Sequence, residues 1–171
     1  MKKYLHFARF LVLLVGLLTL SANSAWGDTK TVTLSDGSSS NNVNTWSIAN
    51  VITITQASGT TPTGKTQTTP NSSYISAPRW YTYNDITFTP ASGITISSIV
   101  VTATTSDYAN ALANSSTIAE REESSSTTNF NVIITPTDGK SPFVITMGAQ
   151  CRLSAILVTF GSSGGVTYTD N

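Results

Sequence analysis

Short runs of β-branched and aromatic residues alternate with polar turn residues along most of the chain. Regularly spaced short strands separated by turns are typical of a β-sandwich or barrel, and not of a fold that alternates strands with helices. The sequence therefore predicts an all-β, antiparallel sandwich of about eight to ten short strands. At most one short helical turn is expected, near residues 107–113, with Asp107 as its cap. The predicted strand segments are Thr31–Leu34, Thr45–Ile48, Val51–Thr55, Arg79–Tyr83, Ile86–Thr89, Ser98–Ala103, Phe130–Thr135, Phe143–Met147 and Arg152–Phe160.

The parity of the apolar positions predicts which strand faces are covered. The final segment, Leu153–Phe160, has apolar residues at both odd and even positions, which predicts a central strand covered on both faces. Apolar positions are even in Ile94–Ile96 but odd in Ile99–Ala103. A β-bulge or a new strand at Ser97–Ser98 would reconcile the two phases, because one extra residue turns the following side chains to the other face.

Residues 1–27 have the composition of a secretory signal peptide. Basic residues precede an apolar stretch, Phe10–Leu20, and small residues follow it. Cleavage after Ser24 and cleavage after Gly27 both fit this pattern. The apolar stretch is shorter than the ~20 residues of a membrane-spanning helix. We therefore expect an exported protein, secreted or at the cell surface, with no membrane insertion once the signal is removed.

The remaining chain has the length of one domain. Residues 28–161 are expected to form the sandwich module, and residues 162–171 have the composition of a flexible Gly/Ser-type tail or linker. Two stretches dense in turn residues, 57–73 and 119–128, are predicted loops. We expect the module to be monomeric.

The distribution of His and Cys limits the available chemistry. The single histidine, His6, lies in the predicted signal peptide, so the processed chain would lack a Ser-His-Asp triad and a histidine-based zinc site. No metal and no cofactor is expected. A structural calcium ion held by Asp side chains and carbonyls is compatible with the sequence, although the EF-hand spacing is absent. The single cysteine, Cys151, has apolar flanks that predict a buried, unreactive thiol.

Charge limits the partners. After residue 27, nine acidic residues outnumber six basic ones and no basic cluster is present. Nucleic acid and anionic membranes are therefore not expected partners. Ser and Thr dominate the polar positions, and a surface of hydroxyl groups suits neutral polar ligands such as glycans.

An aromatic group is the best candidate for a ligand-binding site, because flat rings with polar edges stack on sugars while neighbouring polar groups bind hydroxyls. A structural interpretation competes with it. In a strand Trp80 points away from Tyr81 and Tyr83, so one of the two sets fills the core, and Asn84-Asp85 is also a two-residue hairpin signal. Trp46 is expected in the core. The candidate ligand-binding residues are Arg79, Trp80, Tyr81, Tyr83, Asn84 and Asp85, with Tyr74 nearby.

Catalysis by paired carboxylates is the remaining enzymatic possibility. A glycosidase needs two acids across a cleft, one with a raised pKa. The available acids are better explained by structure: Asp138-Gly139 as a turn, Asp107 as a cap, and Glu120–Glu123 as a solvated loop. We therefore predict no catalytic residues.

Three segments, Ala77–Thr89, Ile94–Ala103 and Arg152–Phe160, give the chain a resemblance to exported β-rich modules of Bacteroidetes and Firmicutes surface proteins. The resemblance covers Trp46–Phe160 and includes an Arg-x-Tyr pattern before a short turn. It implies a jelly-roll-like sandwich similar to carbohydrate-binding modules, and it brings no catalytic residues.

The expected function is thus that of a secreted, non-catalytic binding module, carbohydrate-binding or adhesive, whose partners are glycans or surface proteins. One alternative is a structural spacer or protein-interaction domain of a larger surface protein. A glycan-active enzyme is the second alternative.

Overall fold

The computed structural model describes residues 27–59, 69–115, 119–121 and 130–162. The predicted signal peptide, except Gly27, and the predicted tail, except Ser162, lie outside these residues. The described residues form eleven strands, one helix and two 3₁₀ turns. They are β1 (Asp28–Thr31), a 3₁₀ turn (Leu34–Asp36), β2 (Ser38–Ser40), β3 (Val43–Ile48), β4 (Ile52–Ser58), a 3₁₀ turn (Ser72–Tyr74), β5 (Arg79–Trp80), β6 (Asn84–Pro90), β7 (Ile94–Ala103), α1 (Ser106–Ala113), β8 (Ala119–Arg121), β9 (Phe130–Ile134), β10 (Phe143–Thr146) and β11 (Cys151–Ser162).

The strands form two antiparallel sheets, which confirms the predicted all-β sandwich. The first sheet has the order β1-β11-β7-β9-β8, and the short strand β5 also pairs with β11. The second sheet has the order β10-β6-β4-β3-β2. The first and last strands of the module are therefore neighbours.

The core lies between the sheets because alternate residues of the strands point inward. In β6, for example, Ile86 and Phe88 are fully buried while the intervening Thr87 is partly exposed. Phe88 packs edge-on against Trp80 of the first sheet, with ring centroids 6.3 Å apart, and stacks on Phe143 at 4.9 Å. Fully burying a Phe ring contributes about 1.5–3 kcal/mol, and the contact between Trp80 and Phe88 joins the two layers.

A bulge on β7 confirms the predicted phase change. Thr159 pairs with Ser98 and Phe160 pairs with Ile96, which leaves Ser97 as the extra residue. The hydroxyl of Ser97 donates to the carbonyl of Thr159 at 3.2 Å. The apolar residues before and after Ser97 therefore face the same core.

A second bulge corrects the prediction for β11. Leu153 pairs with Ala103 and Ala155 pairs with Thr102, so Ser154 is the extra residue. The strand is central, as predicted, but the expectation that both of its faces are covered is wrong. The inward positions change from odd to even at the bulge, and Leu157 on the opposite face is 38% exposed.

The single helix in the described part of the chain packs against β7, β8, β9 and β11. It spans Ser106–Ala113 and buries Ala109 and Leu112. Its cap is Thr105, whose side chain accepts a hydrogen bond from the Tyr108 N–H. The predicted cap, Asp107, is wrong and lies two residues too late in the chain. No helix among the described residues is long and apolar enough to cross a membrane.

The two predicted loops are only partly described. Ala57 and Ser58 belong to β4, and residues 119–121 form β8, so the loop boundaries predicted there were wrong. Residues 60–68 and 122–129 lie outside the described part.

Candidate functional site

The candidate residues lie on a segment that leaves β5, makes a tight turn and enters β6. The N–H of Asn84 donates to the carbonyl of Tyr81 at 3.0 Å, which closes the turn around Thr82 and Tyr83. Asn84 and Asp85 are the first residues of β6. The predicted hairpin turn at Asn84-Asp85 is therefore wrong: the turn lies two residues earlier and uses a tyrosine, Tyr83, with φ of 69°.

Trp80 belongs to the core and not to the surface. Its side chain is fully buried, and its Nε1–H has no acceptor among the described residues. It cannot stack on a ligand from that position, so the structural interpretation applies to this residue. Trp46 is likewise buried, as predicted, and its Nε1–H donates to the carbonyl of Ile75 at 3.0 Å.

A buried amide network fixes the backbone of the candidate segment. Asn44 Nδ2 donates to Gln56 Oε1 at 3.1 Å, and Gln56 Nε2 donates to Asn84 Oδ1 at 2.7 Å. Gln56 Nε2 also donates to the carbonyl of Arg79 at 2.8 Å, and Asn84 Oδ1 accepts the N–H of Tyr81 at 3.0 Å. Asn84 is thus a buried positioning residue and not a ligand contact. Because buried polar groups are costly unless hydrogen-bonded, the network holds Arg79–Tyr81 in one conformation.

Arg79 and two tyrosines form a partly exposed surface, which we call the arginine–tyrosine surface (Tyr74, Arg79 and Tyr81). The Arg79 guanidinium lies over the Tyr74 ring, 4.1 Å from its centroid, a cation–π contact. Burial raises the pKa of Tyr81 above its ordinary value of 10.0, and the positive charge of Arg79 opposes only part of that rise. The Tyr81 hydroxyl is therefore neutral near pH 7 and can both donate and accept a hydrogen bond.

Tyr83 and Asp85 are not part of this surface and lie on the other side of the turn. The N–H of Tyr83 donates to the carbonyl of Met147 at 2.7 Å, which ties the turn to the end of β10. Asp85 accepts a hydrogen bond from the hydroxyl of its cross-strand neighbour Thr146. Asp85 is therefore on the outer face of the second sheet, whereas Arg79 is on a strand of the first.

Arg152 is a neighbour of the candidate site that sequence reasoning missed. It pairs directly with Arg79 across the β5–β11 ladder, while the adjacent pair, Trp80 and Cys151, points into the core. The two arginines are 73 residues apart in the sequence. Nothing in the local pattern around Arg152 signals this pairing, because it depends on the position of the two-residue strand β5.

The other candidate acids and the cysteine have structural environments. Asp138 accepts hydrogen bonds from Ser141 and Lys140, which lower the pKa of its carboxyl, and the next residue, Gly139, has φ of 66°, as the predicted turn requires. Burial raises the pKa of the Cys151 thiol to about 12. Asp107 lies in the first turn of α1. Among the residues described, no three His, Cys, Asp or Glu side chains converge on a possible metal position.

These features define the class of the protein as an antiparallel β-sandwich with a partly exposed aromatic and cationic surface. No protein-family model, curated protein or solved structure matches the chain. A function must therefore be supported by the geometry of the surface and the chemistry of its side chains.

Proposed function

We propose that this protein is a secreted, non-catalytic module that binds carbohydrate, or acts as an adhesive, at the cell surface. The observation that carries the proposal is the arginine–tyrosine surface, in which Arg79 is stacked on Tyr74 beside the neutral hydroxyl of Tyr81. Aromatic faces with adjacent hydrogen-bonding groups suit the mixed apolar and hydroxyl surface of a sugar. The buried amide network holds this surface ready for a ligand, which lowers the entropy lost on binding.

The backbone at Tyr83 supports the same proposal. A bulky residue with φ of 69° costs about 1–2 kcal/mol relative to an ordinary conformation. Such residues are found preferentially at binding and catalytic sites, where the surrounding structure enforces them. Here the enforcing contacts are the hydrogen bonds from Tyr83 N–H to Met147 and from Gly59 N–H to the Tyr83 carbonyl, at 2.7 and 3.0 Å.

The environments of Asp138 and Asp85 favour binding over hydrolysis. A glycosidase acid needs a raised pKa, whereas the pKa of Asp138 is lowered by its turn hydrogen bonds. Asp85 is held by Thr146 on the opposite side of the turn from Arg79.

A glycan array and affinity electrophoresis of the purified protein test the proposal. Tyr81→Ala should weaken retention on the bound glycan about 5- to 150-fold, because truncating an aromatic contact residue costs about 1–3 kcal/mol. Tyr108→Ala, which truncates a partly buried tyrosine on α1, is the matched control and should leave retention unchanged. Failure of the wild type to bind any glycan, or an equal loss in both variants, would count against the carbohydrate proposal.

Mass spectrometry of the exported protein tests export and cleavage together. The measured mass should equal that of a chain that starts at Ala25, after cleavage at Ser24, or at Asp28, after cleavage at Gly27.

One observation favours a spacer or protein-interaction role as a second candidate. Leu157, Val100 and Ile133 are direct cross-strand neighbours on the outer face of the first sheet, and all three are at least partly exposed. An apolar row of this kind suits contact with another protein. Sedimentation velocity tests self-association: a concentration-dependent dimer should be lost in Leu157→Thr and kept in Val144→Thr, which changes an exposed apolar residue on the other sheet.

A further inference from the structure

Two arginines with the same charge lie side by side on the outside of the first sheet. The N–H of Leu153 donates to the carbonyl of Pro78 at 3.0 Å, which makes Pro78 and Leu153 the hydrogen-bonded pair of this short ladder. The next pair, Arg79 and Arg152, is therefore a non-hydrogen-bonded pair, in which the Cα atoms approach to about 4.5 Å and the side chains are closest. Like charges in this position repel each other.

The described part of the chain supplies neither guanidinium group with a carboxylate counter-charge. Both side chains are partly buried, and the Nε atom of each is buried without a hydrogen-bond partner. No described carboxylate side chain forms an ion pair with either arginine. Partly desolvated positive charge without a counter-charge is unfavourable, and a bound anion would reduce both this cost and the repulsion.

Contacts on one side orient Arg79 for such an anion. The Tyr74 ring supports its guanidinium at 4.1 Å, and the positive charge of Arg79 partly opposes the rise that burial causes in the pKa of Tyr81. The Gln56 side chain fixes the backbone carbonyl of the same residue. A planar guanidinium held in this way binds the two oxygens of a carboxylate or sulfate group more tightly than a free one.

We propose that Arg79 and Arg152 form an oxyanion-binding pair that recognises the carboxylate or sulfate groups of an acidic glycan. This inference rests on the proposed carbohydrate-binding function and adds its ligand class. Tyr74 and Tyr81 contact the sugar ring, and the two arginines contact its charged substituent.

Affinity electrophoresis of the purified protein against matched polymers tests the pair. Polygalacturonate, which carries carboxylates, and dextran sulfate, which carries sulfates, should both be compared with fully methyl-esterified polygalacturonate and neutral dextran. The wild type is expected to be retarded by at least one charged polymer and not by its uncharged counterpart. Arg152→Gln should weaken that retention about ten- to a hundredfold, since a hydrogen bond to a charged group contributes about 1.5–3 kcal/mol.

Lys140→Gln is the matched control, because it removes one exposed positive charge at the Asp138 turn and leaves the pair intact. It should retain the wild-type affinity, and both variants should melt close to the wild-type temperature. Equal losses in Arg152→Gln and Lys140→Gln would show general attraction to net charge and would overturn the pair. Binding to neutral glycans alone would overturn the oxyanion inference while leaving the proposed function standing, whereas binding to none of these polymers and to no glycan on the array would overturn both.

Discussion

Gln56 makes three side-chain hydrogen bonds, two of them to the candidate segment, so replacing it should destabilise the whole sandwich. Its side chain is fully buried and contacts Asn44, Asn84 and the carbonyl of Arg79. Met is close to Gln in volume, so Gln56→Met removes the polar atoms and changes the packing little. We expect a loss in the free energy of unfolding that arises almost entirely from hydrogen bonding.

The magnitude follows from the groups that the substitution leaves without partners. The carbonyl of Arg79 and the Nδ2 group of Asn44 both lose their hydrogen bond to the Gln56 side chain. Asn84 Oδ1 keeps the hydrogen bond from the N–H of Tyr81. Each buried polar group left unpaired costs about 1–3 kcal/mol. Gln56→Met should therefore lower the free energy of unfolding by about 2–6 kcal/mol, a large part of the usual 5–15 kcal/mol.

Urea unfolding followed by tryptophan fluorescence measures this loss, because Trp46 and Trp80 are buried and their emission shifts when they reach water. A double-mutant cycle with Asn44→Leu identifies its origin. In the double variant neither the Asn44 amide nor the Gln56 Oε1 atom is left unpaired, so its cost should be smaller than the sum of the two single costs by about 2–6 kcal/mol. Additivity to within about 0.5 kcal/mol would refute the network reasoning.

Three further predictions concern other parts of the fold. Cys151, whose pKa is raised to about 12, should resist thiol reagents at pH 8 in the native protein and react in urea, and rapid labelling of the native protein would contradict this. Because the unfolded thiol ionises near 9.0, the free energy of unfolding should fall as the pH rises from about 9 to about 12. Ser154→Ala should cost only about 0.5–1.5 kcal/mol, the value of its hydrogen bond to the Thr102 carbonyl. Deleting Ser154 should remove the bulge while Leu153 still pairs with Ala103 and Ala155 with Thr102, so the inward side chains keep their direction and the variant should still unfold cooperatively. Loss of cooperative thermal unfolding in the deletion variant would argue against Ser154 as the extra residue. Tyr83→Asn should be more stable than Tyr83→Val by about 1–2 kcal/mol in urea unfolding, because Asn tolerates positive φ and a β-branched residue does not, and equal stabilities would argue against the left-handed turn.

Alternation of apolar and polar residues was enough to predict the sandwich and one of its two bulges. At Ser97 the phase change is visible because polar residues separate the two apolar sets. At Ser154 it is hidden, because Ala155 and Leu157 continue the odd apolar positions past the bulge, and the strand then resembles one covered on both faces. A periodic pattern alone does not distinguish these two arrangements.

The candidate site was only partly predictable for a different reason. Arg79 and Tyr81 could be selected because they lie beside other polar and aromatic residues in sequence. Arg152 could not, since its proximity depends on a strand pairing between distant segments. The turn at Tyr83 was also missed, because tight turns with positive φ normally carry Gly or Asn, and a tyrosine gives no local signal for one.

The amide network bonds to main-chain atoms of the segment, the carbonyl of Arg79 and the N–H of Tyr81. Every amino acid has these atoms except for the missing N–H of proline. The outward side chains at positions 79, 81 and 152 can therefore be randomised in a display library without touching the bonds that anchor their backbone. The scaffold offers a small set of diversifiable positions whose recognition properties can be evolved separately from its folding.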